Sequence, residues 1–326
     1  MPVRSLKAPV ALAVTLIVSS AIVACSDTSG SAQQADTATT SAAPDAGNGV
    51  WSFQIGDVQA FALRDGSLDF PNDGKIFAIN RTPEDVAGLL SAAGLPSDTL
   101  NLGLQPLLVR VADRVLLFDT GAGTNFGSAG GRLPESMAAA GIDAESVTDI
   151  FISHVHGDHV GGLLTAEGAA AFPNATIHLS APEWAFLKGM TAETATNVGI
   201  ARYDALIAAM EPKVRTFSPD ADIIPGIVRA VEIKGHTPGH SGYLITSGES
   251  SLLYVGDSMH HYVVSVQRPD WTIAFDGDAP VAEARRNELI ARSAESGQRI
   301  HAVHFPFPGL GRFERRGEEF VWVPEK

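Results

Sequence analysis

The sequence predicts one large mixed α/β domain, and three observations carry that expectation. Short β-branched runs recur along the chain between Gly- and Pro-containing turns. Segments with helical spacing lie among those runs, several opening on Thr-Pro or Ala-Pro, which suits a helix start. From residue 50 to residue 326 there is no repeat and no polar linker, and that length is enough for a substantial core.

In chain order, residues 59–63 read as a strand and 83–93 as a helix entered at Thr82-Pro83. Two apolar runs, 105–111 and 115–118, read as strands, followed by a helix over 133–140. Residues 149–153 and 176–180 are β-branched strand candidates. Helical patterns follow at 182–188, opened by Ala181-Pro182, and at 197–210. Residues 228–233, 251–255 and 299–303 complete the strands, with a helix at 280–295 behind Ala279-Pro280.

Residues 1–25 read as an export signal rather than part of the domain. Arg4 and Lys7 give a basic start, and the apolar stretch that follows is short for a spanning helix. It ends Ile22-Val23-Ala24-Cys25, which resembles a bacterial lipobox whose cysteine becomes the lipidated first residue of the mature chain. An ordinary cleavage site fits poorly with Ile22 three before the cut, and a retained anchor is the other alternative. Residues 26–49 lack any aromatic or large aliphatic residue and read as a flexible tether. The expected location is the periplasm or cell envelope, with the membrane met only through the N-terminal lipid or signal.

Cys25 is the only cysteine, which excludes an intrachain disulfide and a zinc–thiolate site. Without Arg4 and Lys7, 21 of the 23 basic residues remain against 37 acidic ones, a net charge of −16. That balance argues against nucleic acid as a partner.

Chemistry concentrates in His154-Val155-His156-Gly157-Asp158-His159, directly after the apolar Ile150-Phe151-Ile152. Imidazole and carboxylate suit a borderline divalent ion such as Zn²⁺. His154 and His156, two apart at a strand end, point the same way, while Asp158 and His159 follow a turn that Gly157 permits. That geometry points to two neighbouring metals that need further ligands. His236, Asp257 and His304 each stand just beyond a strand-like run and can supply them.

His154-x-His156-x-Asp158-His159 followed by His236, Asp257 and His304 resembles the metallo-β-lactamase superfamily of binuclear hydrolases. The resemblance implies an αββα sandwich, two packed mixed sheets with helices outside and two divalent metal ions, Zn²⁺ by preference, at one edge. It implies that His154, His156 and His236 hold the first metal, that Asp158, His159 and His304 hold the second, and that Asp257 bridges them. A closer likeness, to the methyl parathion hydrolase branch with its phosphotriesterases, lactonases and aryl esterases, rests on several segments. They are VLLFDTGAG at 115–123, residues 131–133, 172–175, 235–240, 266–269 and 275–278, and HFPFPGLG at 304–311.

The chemistry expected is hydrolysis by a metal-bridging hydroxide, in which Asp158 and Asp257 are the residues closest to catalysis. One zinc lowers the pKa of water to about 7, and two metals roughly 3.5–4 Å apart can also polarise a carbonyl or phosphoryl oxygen. No protein nucleophile is needed, in keeping with the lack of a G-x-S-x-G elbow. Asp257 stands where penicillin-cleaving relatives carry Cys, and His156 where flavodiiron relatives carry Glu, which favours zinc hydrolysis of other substrates. The expected substrate is a small uncharged lactone, aryl ester or phosphotriester, facing Phe305, Phe307, Trp271 and Phe275, with Trp184 and Phe186 as a further wall. The alternatives are a β-lactamase or thioester hydrolase of the same fold, or a metal-binding surface lipoprotein without catalysis. A homodimer is left open.

His240 reads as a partner behind the ligands, with proton donation to substrate as the alternative. Asp119 is expected to accept a proton from a ligand imidazole, or else to close a local turn. One of His260 and His261 faces the substrate, or both lie on an exposed loop. His178 and His301 read as packed strand residues.

Overall fold

The computed structural model describes residues 46–325. The lipobox reading at Cys25 and most of the tether therefore lie outside the described residues.

The first half begins with the hairpin β1 (Val50–Ile55) and β2 (Val58–Leu63), turned at Gly56 with φ 55°. It continues through β3 (Gly66–Pro71), α1 (Pro83–Ala92), β4 (Thr99–Leu104), β5 (Leu107–Val111), β6 (Arg114–Phe118) and α2 (Leu133–Ala139). Then come β7 (Asp149–Phe151), α3 (Gly157–Val160), β8 (Thr176–Ser180), α4 (Ala181–Gly189), α5 (Ala192–Asn197), α6 (Tyr203–Met210) and β9 (Val214–Phe217). The second half holds β10 (Asp222–Ile224), β11 (Val228–Glu232), β12 (Ser241–Ser247), β13 (Ser250–Tyr254), α7 (Val264–Gln267) and α8 (Ala279–Ser296). It closes with β14 (Ile300–His301), β15 (Leu310–Arg316) and β16 (Glu319–Pro324).

Each half makes one seven-stranded sheet, in the orders β1-β2-β5-β6-β7-β8-β9 and β10-β11-β12-β13-β14-β15-β16. Both are mixed: β6 to β9 run parallel in the first, and β13 pairs parallel with β14 in the second. Strand periodicity assigns the layers, because alternate residues face opposite sides. Leu116, Phe118 and Phe151 of the first sheet meet Tyr243, Ile245, Leu252 and Tyr254 of the second in one shared core. Leu117 and Ile150 face the other way, onto Leu133, Met137, Leu187, Leu206 and Met210 of the helices. Leu253 and Ile300 pack outward against Ile290 of α8. The result is the two-sheet sandwich with helices on both outer faces. β3 and β4 form a separate ribbon beside it.

One expectation is corrected. The helix read at 197–210 begins only at Tyr203, as α6: before it lie the last residue of α5, a helix missed in the sequence, and a turn in which Gly199 has φ 77°. Ile200 N donates back to Ala195 O at 3.0 Å, the closing bond of a glycine-terminated helix. The helical spacing on either side of that glycine reads as continuous only because the break is short. β12 is not among the strands read from the sequence. Gly242 sits within the strand because a Cβ there would fall 2.8 Å from both Tyr254 O and Ile233 Cδ1.

Candidate metal centre

The site is built at the edge where strands of both sheets end. Beyond β7, Ser153 leads into His154, and Gly157 opens α3 so tightly that a Cβ there would meet Gly199 O at 2.0 Å. Asp119, at the end of β6, adopts φ 55° and gathers the neighbouring donors. Its Oδ1 accepts from Ser153 N at 2.7 Å, and its Oδ2 from Ser153 Oγ at 2.6 Å, Tyr254 OH at 2.7 Å and His159 Nδ1 at 2.7 Å.

Outer hydrogen bonds set the tautomers. Ser153 Oγ gives its hydrogen to Asp119, so His154 Nδ1, at 3.0 Å from that oxygen, must be the donor between them. His236 Nδ1 donates to Asp276 Oδ1 at 3.0 Å, and His304 Nδ1 to Gly103 O at 2.8 Å. Each of these rings, like His159, is left with an Nε2 lone pair aimed inward.

Those lone pairs converge in two groups. His154, His156, His236 and Asp257 bring one ligand atom each within 4.8 Å of one another, and so do Asp158, His159 and His304. His236 Nε2 lies 3.2 Å from His154 Nε2 and 2.9 Å from His156 Nδ1. Asp257 offers one oxygen to each group. Oδ1 is 3.1 Å from His159 Nε2 and 3.0 Å from His304 Nε2, while Oδ2 is 3.4 Å from His236 Nε2 and 3.6 Å from His154 Nε2.

Divalent cations fit this arrangement. His159 Nε2, His304 Nε2 and Asp257 Oδ1 are buried without a hydrogen-bond partner among the described residues, a costly state that a cation relieves. The donor set is imidazole and carboxylate, as zinc prefers. Electrostatics agree. Burial opposes charge on His159, yet Asp257, Asp158 and Asp119 hold its pKa well above the ordinary imidazole value. Burial and the surrounding imidazoles push His154 and His156 well below it. The carboxylates call for positive charge that His154 and His156 do not supply.

The remaining candidates separate cleanly. His240 lies behind the ligands: Nδ1 donates to Ile233 O at 2.8 Å, and Nε2 accepts from Asp257 N at 2.9 Å. His260 is buried, not exposed, with Nε2 3.2 Å from Asp257 Oδ2. His261 is also buried, and its Nδ1 accepts from Val263 N and Val264 N, so the exposed-loop alternative is wrong for both. His178 donates to Asp149 Oδ1 at 2.8 Å and His301 stacks on Tyr254 in the core.

A cavity of about 420 Å³ opens onto His156, Asp158, Asp257, His260 and His304. Its apolar wall is Leu68, Phe70, Leu102, Phe126, Val198 and Phe275, drawn largely from the β3–β4 ribbon and the turn after α5. A second cavity of about 420 Å³ shares His156, Val198 and Phe275 with it and reaches Phe186 and Lys234. Phe305, Phe307 and Trp271 do not line either. Phe305 is fully buried against Trp322. Phe307 lies under Arg64, Trp271 packs in the cluster around α1, and Trp184 packs among the helices of the first sheet.

Sequence reasoning missed three buried supports. Asp276 holds His236, and Arg286 holds Asp276 at 2.7 Å together with Ser258 O at 2.7 Å and Pro269 O at 3.0 Å. Asp65 accepts from Ala122 N, Gly131 N and Leu133 N, and so shapes the loop after β6. Glu183 joins the loops of His154 and His236. A lone acid far from the motif gives no spacing signal; only the Asp276 segment stood inside a stretch already singled out.

Known proteins align with this picture. The "Probable metallo-hydrolase Rv2300c" of Mycobacterium tuberculosis is 27% identical over 229 residues, 61% of this chain and 70% of that one. A ribonuclease Z of Methanothermobacter thermautotrophicus is 35% identical over 79 residues, so the chain spans only 22% of that relative. Among solved structures, the dizinc quorum-quenching lactonase AidC, in complex with a product, superposes with a TM-score of 0.79 at 28% identity, over 85% of this chain and 98% of that one. The hydrolase AbOPH, described as belonging to the beta lactamase superfamily, gives 0.76 at 29% identity with the same coverage. A family model for the metallo-beta-lactamase superfamily matches residues 106–294, more than half of the sequence. On that match, on the shared fold and on the His/Asp cluster found here, the chain belongs to the metallo-beta-lactamase superfamily and is a metal-dependent hydrolase.

Proposed function

We propose that this hydrolase works with two zinc ions and opens lactones or cleaves aryl esters, with uncharged phosphotriesters as poorer substrates. The observation that carries the reading is Asp257, whose two carboxylate oxygens face separate groups of imidazoles beside an apolar cavity. When bound, divalent cations there supply Lewis acidity, acidifying water and polarising an acyl or phosphoryl oxygen. His154, His156 and His236 would hold one ion, Asp158, His159 and His304 the other, and Asp257 both.

The protein's own groups do the rest. Leu68, Phe70, Leu102 and Phe275 exclude water from the substrate's apolar part, and no Lys or Arg lines this cavity among the described residues. His260 stands at the cavity wall, and burial pushes its pKa down to about 4, so it is neutral near pH 7 and can donate a hydrogen bond to substrate without charge. The likeness to AidC supports a lactone as the reacting group. An N-terminal signal ending at Cys25 puts the enzyme in the cell envelope on the strength of sequence alone.

The test is a substrate panel: acyl-homoserine lactones, aryl lactones, a paraoxon-like triester and nitrocefin, with the zinc content of the same preparation. Lactones are expected to turn over fastest. Rapid nitrocefin cleavage with inert lactones would overturn the reading in favour of a β-lactamase. Full zinc occupancy with no turnover on any substrate would leave a binding protein.

A further inference from the structure

The first turn of α4 is fastened to the loop that carries His236. Ser180, the N-cap of α4, donates to Gly239 O at 2.7 Å and accepts from Glu183 N at 3.3 Å. The approach is so close that a Cβ on Gly239 would fall 2.3 Å from Glu183 N and 2.4 Å from Ser180 Oγ. Glu183 is fully buried and its carboxylate meets donors on both oxygens. Oε1 takes the Val155 N–H at 2.9 Å, and Oε2 takes the Thr237 hydroxyl and the Gly239 N–H, each at 2.8 Å. Val155 separates His154 from His156, and Thr237 follows His236. One carboxylate therefore spans a loop of the first sheet and a loop of the second.

We infer that Glu183 is a positioning residue that sets the separation between the His154–His156 pair and His236, and with it the grip of that group on a divalent cation. The inference rests on the reading above that these imidazoles share a cation. Only an acceptor with two ionised oxygens can serve all three donors. A glutamine would turn an NH₂ toward one of the loops, and a leucine would leave Val155 N and Gly239 N unpaired in the core. Arg286 and Asp276 fix the orientation of the His236 ring, whereas Glu183 fixes where its backbone stands relative to the other sheet.

The experiment titrates the apo form of the full chain with Zn²⁺ against a chromophoric chelator, for wild type, Glu183→Gln, Thr237→Val and the double variant. Far-UV circular dichroism and the melting temperature of each apo protein accompany the titrations. Wild type is expected to take up two ions. Glu183→Gln is expected to weaken one of them about 10–100-fold, the cost usual for an outer partner, with the other ion held as before. Thr237→Val should weaken the same ion, and the two changes should combine less than additively because they share a partner.

Wild-type affinity for both ions in Glu183→Gln overturns the inference. Equal weakening of both ions, in step with a lower apo melting temperature, also overturns it, since that marks a purely structural group. If Glu183→Gln does not fold, Thr237→Val decides alone, and unchanged affinities in it count against the inference. Wild type that binds no divalent ion refutes the underlying reading, and that is seen before any variant is made.

Discussion

Four of the candidate ligand imidazoles turn one nitrogen to an oxygen of the protein, and one of these contacts is relayed. His236 leans on Asp276, whose pKa is pushed down to about 2: burial opposes the charge, but His236 and Arg286 outweigh it. Arg286 is 2% exposed at the side chain and Asp276 is fully buried. Removing one partner of such a pair strands the other, so Arg286→Met is expected to cost about 3–5 kcal/mol in urea unfolding; a loss under about 1 kcal/mol, the range of an exposed pair, would show that Asp276 does not depend on it. Asp158→Ala and His159→Ala are expected to leave one zinc per chain in elemental analysis and a folded domain. Their turnover should fall by more than the roughly 100-fold upper end for an outer partner. Retained activity in either would sink the ligand assignment. The His/Asp cluster was legible because four of its members crowd into six residues. The cavity wall was not, since Phe305 and Phe307 were assigned from nearness to His304 along the chain, and nearness within a turn does not fix where a side chain points.

Strands covered on both faces carry short continuous apolar runs, Val115–Phe118 in β6, Ile150-Phe151 in β7 and Leu252–Tyr254 in β13, which made them easy to place. β15 carries Arg312, Glu314 and Arg316 on one face, and β10 and β16 lie at the edges of their sheet, β10 only three residues long, so their signal drowned in the turns around them. The break between α5 and α6 is legible only with its packing, since Gly199 backs directly onto Gly157. Gly157→Ala forces a Cβ into Gly199 O, and a loss of about 1–3 kcal/mol is expected, together with weaker zinc retention because α3 carries Asp158 and His159. Unchanged melting and zinc content would show that the turn after α5 yields freely. On β14, His301 has neither ring nitrogen paired among the described residues, and burial with Arg299 nearby pushes its pKa down to about 3. Below the ordinary value the unfolded chain takes up a proton that the folded one refuses. The associated stability is thus complete above about pH 6.5 and falls as pH drops, by about 2 kcal/mol near pH 5. His301→Leu should remove that slope; urea midpoints of the two proteins that stay parallel between about pH 5 and pH 8 would refute it.

At the scale of the whole molecule, the two sheets meet twice: along the apolar core and again at the candidate metal centre. His154, His156, Asp158 and His159 follow a strand of the first sheet, while His236, Asp257 and His304 follow strands of the second. A cation held there joins the halves, and the acidic chain gains charge compensation. Chelation is expected to lower the melting temperature, and free zinc at about 100 times its dissociation constant to restore about 2.7 kcal/mol per site. A melting temperature indifferent to chelator would mean that the sheets hold together without help. The mixed α/β class was readable from periodicity, whereas the sandwich came only with the family resemblance, because strand order depends on pairings between segments far apart in the chain. Since His159 and His304 are separated by about half of the domain, a polypeptide still emerging from the ribosome cannot yet close the group that these two residues share. Loading is consequently a late step in maturation, and radioactive zinc that stays with the protein through gel filtration counts only molecules whose two halves have come together.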